Sequence, residues 1–593
     1  MFNFITLTIR DFPIIIFFIV MYIVLSIIPS LQIIAVANFI DKSIAIYNNM
    51  ETLKSIYIAI TLIGCCLIGS FLLNEAISFT RLNIYNKYNV YIQNKILMKR
   101  SKLKYPLIED DKTWNLIAVI EKDPTKNIID GLDNSLNIIS LIIKIIGFIA
   151  VISVYIWWTG IAVLLIAVPI LYQSYKSGKV EYEAFETAEE LERRADYLQE
   201  VLSSRECADE RKLFQYYTSV DNIWKKKYEE MRYLTYNAFK KFFIQLGISN
   251  SLSKILVVII GLLLIVPLKQ KHITVGVYMS LLASSISLFA SLTTELALVL
   301  ESFIKNNLFY NSFNTFMKLE EEIEDINDKT TFNNDMDFHE IIFKNVSFSY
   351  PDSDKKILNN LNLAFHSGKK YALVGENGSG KTTIVKILIG LYDSYEGEIT
   401  IDGIELRNLT KSSLKAFYQV VFQDFYKYEI SIRDFLTLGF TEYKTEDIDV
   451  DSLLNSALLE VDLYEKVDSL KDGLHTKIGK INEKGIDLSG GEWQRLAIAR
   501  TLILNRAFTI LDEPTAAIDP VSESKLYTLF SEVTKYKSSL IITHRLGAAR
   551  IADEILVLKN GKIAEKGTHE SLVNKRGIYE KMFSVQRSWY YEK

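Results

Sequence analysis

Six apolar segments crowd into the part of this chain before residue 305, at about Phe12–Ile40, Lys54–Glu75, Leu136–Trp158, Gly160–Tyr172, Phe243–Leu268 and Thr274–Leu300. A hydrocarbon layer of roughly 30 Å takes about 20 helical residues to cross, so these segments predict membrane-spanning helices. Gly160–Tyr172 is short and is read as continuing into the Lys/Glu-rich stretch after it. After residue 305 charge dominates, so the 593 residues divide into at least two domains of opposite character. The average hydrophobic fraction, 49%, hides that division.

The start mimics a secretion signal. Arg10 precedes an apolar run that reaches Ala35-Val36-Ala37. The run is too long for a signal h-region, so it reads as an uncleaved span, with Met1–Asp11 as an interfacial segment. The connections Thr80–Ile129 and Ser174–Lys241 are long and rich in Lys and Arg. Those at Asp41–Leu53, Trp157–Gly160 and Pro267–Ile273 are short and poor in them. Basic connections stay in the cytoplasm, which places both long ones and both termini there. Val180–Arg232 lacks Gly and Pro and is full of Glu, Lys, Arg, Leu and Ala, which predicts helical stalks rather than loose loops.

Ionisable and amide groups inside the spans are costly unless they face protein or water. Glu75, Lys144, Asn250, Lys254 and Glu295 are such groups. Lys254 lies thirteen residues before Pro267, roughly 20 Å along a helix. Asn250 is one turn away on the same face. Lys254, Asn250 and Glu295 are therefore the candidates for lining a polar cavity, with snorkelling the alternative for Lys144.

The polar, acidic stretch 318–338 reads as a linker between a membrane domain, 1–317, and a second domain, 339–593. In the second, the strand-like Lys370–Val374 runs into Gly375-Glu-Asn-Gly-Ser-Gly-Lys-Thr-Thr383, and a helix follows. Strand, glycine-rich loop and helix are the setting of a phosphate-binding loop. Backbone N–H groups of Gly375, Asn377, Gly378, Ser379, Gly380 and Thr383 would cradle phosphate at a helix N-terminus. Lys381 would reach the β- and γ-phosphates, and Thr382 would ligate Mg²⁺. Phe508–Leu511 is a buried strand that delivers Asp512 to a metal and Glu513 to an attacking water. Leu488-Ser-Gly-Gly-Glu492 opens a further helix, Glu492–Leu504.

The net charge of −4 gives no general pull toward nucleic acid. Three cysteines are too few for a disulfide framework and none lies in a metal-ligand cluster, so all three read as packing residues.

The order Tyr350, Gly375–Thr383, Gln423, Leu488–Glu492, Asp512–Glu513, Asp519, His544 resembles the nucleotide-binding domain of an ABC transporter across 339–593. The membrane half resembles the six-helix domain of type I ABC exporters. The implied fold class is an all-α six-helix membrane domain with long cytoplasmic helical extensions, followed by an α/β ABC ATPase. The resemblance implies ATP and Mg²⁺, with Tyr350 stacking on adenine and Gln423 joining Thr382 around the metal. His544 would orient the water. Ser489, Gly490, Gly491 and Glu492 would bind the γ-phosphate held by another subunit, and Asp519 would cross the dimer seam. Glu483 and the segments Tyr105–Asp111 and Ser203–Phe214 match positions where exporters join stalk to ATPase.

The expected protein is an ATP-driven half-exporter of the cytoplasmic membrane, among lipids, working as a homodimer, with a heteromeric partner left open. Trp493 after the signature and Gln423-Asp-Phe425 resemble the exporters of lantibiotics and related ribosomal peptides. The expected cargo is such a peptide, with a lipid or a hydrophobic drug as alternative. No peptidase is read before Phe12, so a leader peptide would be cut elsewhere. A channel or sensor that uses the cassette only as a switch would show degenerate catalytic residues, which Glu513, Ser489, Gln423 and His544 are not.

Overall fold

The computed structural model describes residues 13–155, 157, 172, 188, 191–205, 207–322, 338–351, 353–439, 449–479, 485–504, 506–513, 527–528, 530–531 and 537–591. The expected span Gly160–Tyr172 falls outside these residues apart from Tyr172, as do Met1–Asp11, Asp519 and Glu483.

Residues up to Lys102 and Asp111–Leu319 form one compact unit. Among its described helices are α1 (Ile15–Tyr47), α2 (Tyr57–Ser101), α4 (Asp111–Glu121), α5 (Pro124–Tyr155), α6 (Tyr217–Lys269), α7 (Val275–Ala290) and α8 (Leu296–Met317). Among the described residues, five helical segments are long and apolar enough to cross a membrane, and they match the other five expected spans. Helix α6 has 53 residues, about 80 Å at 1.5 Å per residue, far more than a bilayer needs. Residues Tyr217–Lys241 of its first half are stalk, as the Glu/Lys-rich composition predicts.

Large apolar side chains such as Phe71, Leu72, Ile255 and Leu262 are exposed on these helices. In water such surface would be a liability; against lipid it is the expected finish. Cys65 is exposed on the same kind of surface, and Cys65, Cys66 and Cys207 are all free thiols. Among the described residues one core joins the helices around Ile33, Phe148, Ile152, Ile260, Leu281 and Phe289. Small residues bring the backbones together, as membrane helices require. A Cβ on Gly147 would overlap Ser30, which draws α5 onto α1, and one on Gly276 would overlap the Ala37 carbonyl, which draws α7 onto α1. Asp41 then accepts from the Gly276 N–H at 2.8 Å and from Thr274 Oγ1 at 2.5 Å. A π-turn, Ser291–Glu295, joins α7 to α8.

The second unit takes Glu320 onward and also Leu103–Asp110, which includes the short helix α3 (Tyr105–Glu109). This departs from the expected domain boundary: eight residues from within the membrane half pack with the C-terminal domain. With β1 (Glu340–Phe348), β2 (Leu358–His366), β3 (Lys370–Gly375), β4 (Glu396–Ile401), β5 (Ile404–Glu405), β6 (Tyr418–Val421), β7 (Phe508–Asp512), β8 (Ser538–Ile542), β9 (Glu554–Lys559) and β10 (Lys562–Gly567), its sheets are β2-β1-β4-β5, antiparallel, and β10-β9-β3-β8-β7-β6. In the second sheet β9, β3, β8, β7 and β6 run parallel, and β10 (Lys562–Gly567) is an antiparallel edge.

Parallel strands covered on both faces read as continuous apolar runs, with alternate residues serving different cores. In β7 (Phe508–Asp512), Phe508 and Ile510 enter the core shared with β1 (Glu340–Phe348) and β2 (Leu358–His366), while Leu511 enters the helical core. β8 (Ser538–Ile542) divides likewise, Leu540 and Ile542 against Ile541. In β3 (Lys370–Gly375), Tyr371 and Leu373 face the first core, and Ala372 and Val374 face the helix α13 (Ile578–Tyr591). The helical core packs α10 (Ile432–Thr437), α11 (Val450–Glu460) and α12 (Gly490–Leu504) around Phe435 and Trp493, whose rings meet edge-on at 5.6 Å.

Candidate functional site

Three adjacent parallel strands end together: β3 at Gly375, β7 at Asp512 and β8 just before Thr543 and His544. Ligands of open α/β sheets bind outside the carboxyl ends of such strands. From β3 the chain enters the glycine loop and then α9 (Lys381–Leu388). Gly378 and Gly380 have φ of +75° and +107°, a region that side chains strain to enter. Gly375 lies so close to the Leu558 carbonyl that a Cβ there would overlap it. Three of the expected glycines are thus required by backbone geometry.

The loop is built for an anion. Lys381 is only 5% exposed, and its Nζ donates to the carbonyls of Gly375 and Glu376 at 3.0 and 3.1 Å, which holds the ammonium inside the turn. Burial lowers its pKa, with Glu513 and Asp512 opposing. Ser379 is buried, and its Oγ has no hydrogen-bond partner. An orphaned hydroxyl in a cradle of N–H groups fits a phosphate oxygen.

Asp512 is 2% exposed, and its Oδ1 likewise has no partner. Burial, then the charge of Glu513, raise its pKa to about 6, while a hydrogen bond from Thr382 and the charge of Lys381 pull the other way. A buried carboxylate with a free oxygen beside a threonine hydroxyl fits a divalent cation, whose charge would relieve its desolvation. Among the described residues no cluster of three His, Cys, Asp or Glu that could hold a metal ion occurs. Gln423 is exposed just past β6 (Tyr418–Val421), the strand beside β7.

This carboxylate sets a stability prediction. A folded pKa near 6 against an ordinary 3.8 means that ionised Asp512 destabilises the fold. The penalty is absent below about pH 4 and fully present above about pH 6. Asp512→Asn should therefore raise thermal stability at pH 7.5, by up to about 3 kcal/mol for two pKa units, while losing ATPase activity. At pH 4.5, between the two pKa values, the gap should shrink to about a third of that, about 1 kcal/mol. Melting curves at both pH values without nucleotide check this; an equal or lower melting temperature for the variant at pH 7.5 would refute it.

Glu513 takes φ +46°, a left-handed conformation unusual for Glu, and its N–H donates to the Ile542 carbonyl at 3.0 Å. Its Oε1 meets His544 Nε2 at 2.5 Å. Burial, then Lys381, lower the His544 pKa, while Glu513 and a hydrogen bond to the Gly375 backbone resist. The imidazole is therefore neutral at pH 7 and available to hydrogen-bond.

Tyr350 follows β1. Its ring meets Phe348 edge-on at 5.2 Å and Tyr392 at 5.5 Å, and its hydroxyl bonds Thr383 Oγ1 at 3.0 Å. The helix α3 joins this group. Glu109 accepts from Lys386 Nζ at 2.6 Å, from Tyr105 Oη at 2.7 Å and from Tyr392 Oη. Tyr105 and Tyr392 pack edge-on at 5.5 Å. Within the second unit, Tyr105 and Glu109 so lie beside the phosphate-loop helix and the neighbours of Tyr350.

The signature opens α12 as a reciprocal cap: Ser489 N–H donates to Glu492 Oε2 at 2.9 Å, and Glu492 N–H to Ser489 Oγ at 3.4 Å. Lys466 pairs with the other Glu492 oxygen at 2.7 Å. Ser489 and Gly490 are exposed, Gly491 partly so, and among the described residues no hydrogen bond ties them to the phosphate loop.

The cavity candidates separate. Thr293 donates to Asn250 Oδ1 at 2.8 Å; Glu295 pairs with Lys144 at 4.0 Å, not with Lys254; Lys254 is exposed on α6.

Sequence reasoning missed Asp424, whose charge reaches Asp512, and Gln586 of α13. Gln586 accepts from the Leu546 N–H at 2.9 Å and donates to the His544 carbonyl, bracing that loop. Asp424 follows Gln423 directly, a signal in plain view. Gln586 lies 42 residues from His544 with no local mark.

Strand-end carboxylates, phosphate cradle and capped signature helix together define an ATPase cassette, and residues 358–516 match the family model described as ABC transporter. The chain as a whole fits an ABC exporter half-transporter: one helical membrane domain fused to one ATPase domain coupled to transport. It is 28% identical over 508 residues to the subtilin transport ATP-binding protein SpaT of Bacillus subtilis, covering 85% of this chain and 80% of that one. It is also 28% identical to the nisin transport ATP-binding protein NisT of Lactococcus lactis subsp. lactis, covering 83% and 81%. The ATP-dependent lipid A-core flippase of Escherichia coli (strain K12) is 40% identical, over 42% of this chain and 41% of its own. A solved bacterial Atm1-family ABC exporter with ATP bound shares the fold, with a TM-score of 0.78 over 97% of this chain and 99% of that chain at 22% identity.

Proposed function

We propose that this exporter carries a ribosomally made, lantibiotic-like peptide out across the cytoplasmic membrane, as a homodimer with both termini in the cytoplasm. The observation that carries the cargo is where similarity falls. The subtilin and nisin transporters match through membrane and ATPase halves alike, whereas the flippase matches over 248 residues. Cargo contacts lie in the membrane half, so similarity that includes it bears on the cargo. Trp493, buried against Phe435, and the Gln423-Asp-Phe425 wording agree.

ATP would seat its base against Tyr350 and its phosphates on Gly375–Thr383, with Lys381 at the β- and γ-phosphates. Thr382, Asp512 and Gln423 would hold Mg²⁺, which offsets phosphate charge when bound. Glu513 would accept a proton from the attacking water, with neutral His544 orienting it. Ser489–Glu492 would close on the γ-phosphate held by the other copy, and Asp519 would lie at their seam. Closing and reopening would reach the membrane helices through the stalks.

Everted membrane vesicles test the cargo. Vesicles carrying the chain should take up a leader-bearing nisin- or subtilin-type precursor with ATP, and not in a Glu513→Gln variant. ATP-dependent movement of lipid without any peptide uptake would reject the peptide in favour of a flippase.

A further inference from the structure

Helices α1, α5 and α7 line a cavity of about 260 Å³ whose polar lining is Ser30, Gln32 and Lys144 together with Ser280, Ser284, Ser287 and Ser291. The serine spacing of four, three and four puts these hydroxyls on one face of α7 and its π-turn. The close approaches at Gly147 and Gly276 hold the three walls together.

Lys144 lies eight residues into the apolar stretch Leu136–Trp158, roughly 12 Å along the helix at 1.5 Å per residue and so well inside a 30 Å layer. An ammonium at that depth is a functional-site candidate by default. Its recorded partner among the described residues is Glu295, at 4.0 Å, beyond hydrogen-bond range. Lys144 lines the cavity and Glu295 does not, so the positive end of this loose pair faces inward.

The remaining donors agree. Ser280 gives its hydrogen to the Val277 carbonyl and Ser291 to the Ser287 carbonyl. Ser30, Gln32, Ser284 and Ser287 make no side-chain donation among the described residues. Four neutral donors and one ammonium thus converge on a space too small for a whole peptide and large enough for its end.

We propose that this cavity binds an anionic group of the cargo, a peptide carboxylate, through Lys144, Ser30, Gln32, Ser284 and Ser287. The assignment of the anion to cargo rests on the export reading. A lipid phosphate would present the same chemistry, so the test separates the two sources.

The full chain, with Cys65, Cys66 and Cys207 replaced by alanine, receives one cysteine on the lining, Ala283→Cys, in phosphatidylcholine nanodiscs. A sulfonate-bearing methanethiosulfonate should modify it about tenfold faster than its trimethylammonium twin. Lys144→Met should bring the ratio to about one, Lys144→Arg should keep it, and Lys254→Met should leave it unchanged. Glu295→Gln should increase it. An apolar acetylated tetrapeptide with a free carboxylate should slow modification more than its C-terminal amide does.

Folded, ATPase-active protein with no charge preference, or with one that survives Lys144→Met, overturns the proposal. So does a preference with equal protection by acid and amide peptides. Protection by phosphatidylglycerol nanodiscs alone overturns the peptide source and assigns the anion to lipid. None of these readings needs hydrolysis or transport. If the vesicle assay finds no peptide uptake while the acid peptide still protects, export of peptide fails and the anion site stands.

Discussion

Replacing Glu513 by glutamine should cut steady-state ATP hydrolysis by at least about 10²-fold while ATP still binds. The amide keeps the size of the side chain but cannot take a proton from water. The phosphate contacts are elsewhere: Lys381, the glycine loop and the orphaned Ser379 hydroxyl are untouched by the change. Binding without turnover should accumulate a closed, ATP-loaded dimer. Hydrolysis assays together with size-exclusion chromatography in ATP check both halves. Hydrolysis near the unmodified rate would remove Glu513 from the base role and leave the strained φ of +46° to be explained by the fold alone.

The second large effect concerns the signature. Ser489→Arg should abolish turnover by filling an anion site at a helix N-terminus, without loosening ATP from the phosphate loop of its own chain. The reason is location: Ser489 belongs to the helical core's first turn, capped by Glu492, and among the described residues has no hydrogen bond to that loop. Mixed dimers give the sharper result. With Ser489→Arg on one chain and Lys381→Ala on the other, a shared arrangement puts both defects in one composite site and leaves the other whole. Such dimers should occlude one nucleotide; if every site were built within one chain, they would occlude none.

How much of this was written in the sequence depends on the range over which each feature is determined. The phosphate loop is a local object. Its glycines are forced by backbone angles, and Asp512 and Glu513 follow from one buried strand, so both were legible. Five spans were legible for a similar reason, since crossing lipid is a property of one segment at a time. The surroundings of the site were not. The hydrogen bond of Thr382 to Asp512, the Gln586 brace and the burial that lifts Asp512 all need strands brought together from remote parts of the chain. The membrane cavity shows the limit most clearly. Counting residues from Pro267 gives the depth of Lys254 but not the direction of its face. The structure pairs Glu295 with Lys144 instead, and it is Lys144 that lines the cavity.

The membership of Leu103–Asp110 in the ATPase unit has a consequence for anyone who recombines such proteins. A chimera joined only at the linker would import a foreign cassette and leave α3 behind from the host. Glu109 would then face whatever residues the donor carries in place of Lys386 and Tyr392. The functional module is discontinuous in the gene: a transplant that respects it moves two pieces, one of them eight residues long and buried in the reading frame of the other domain.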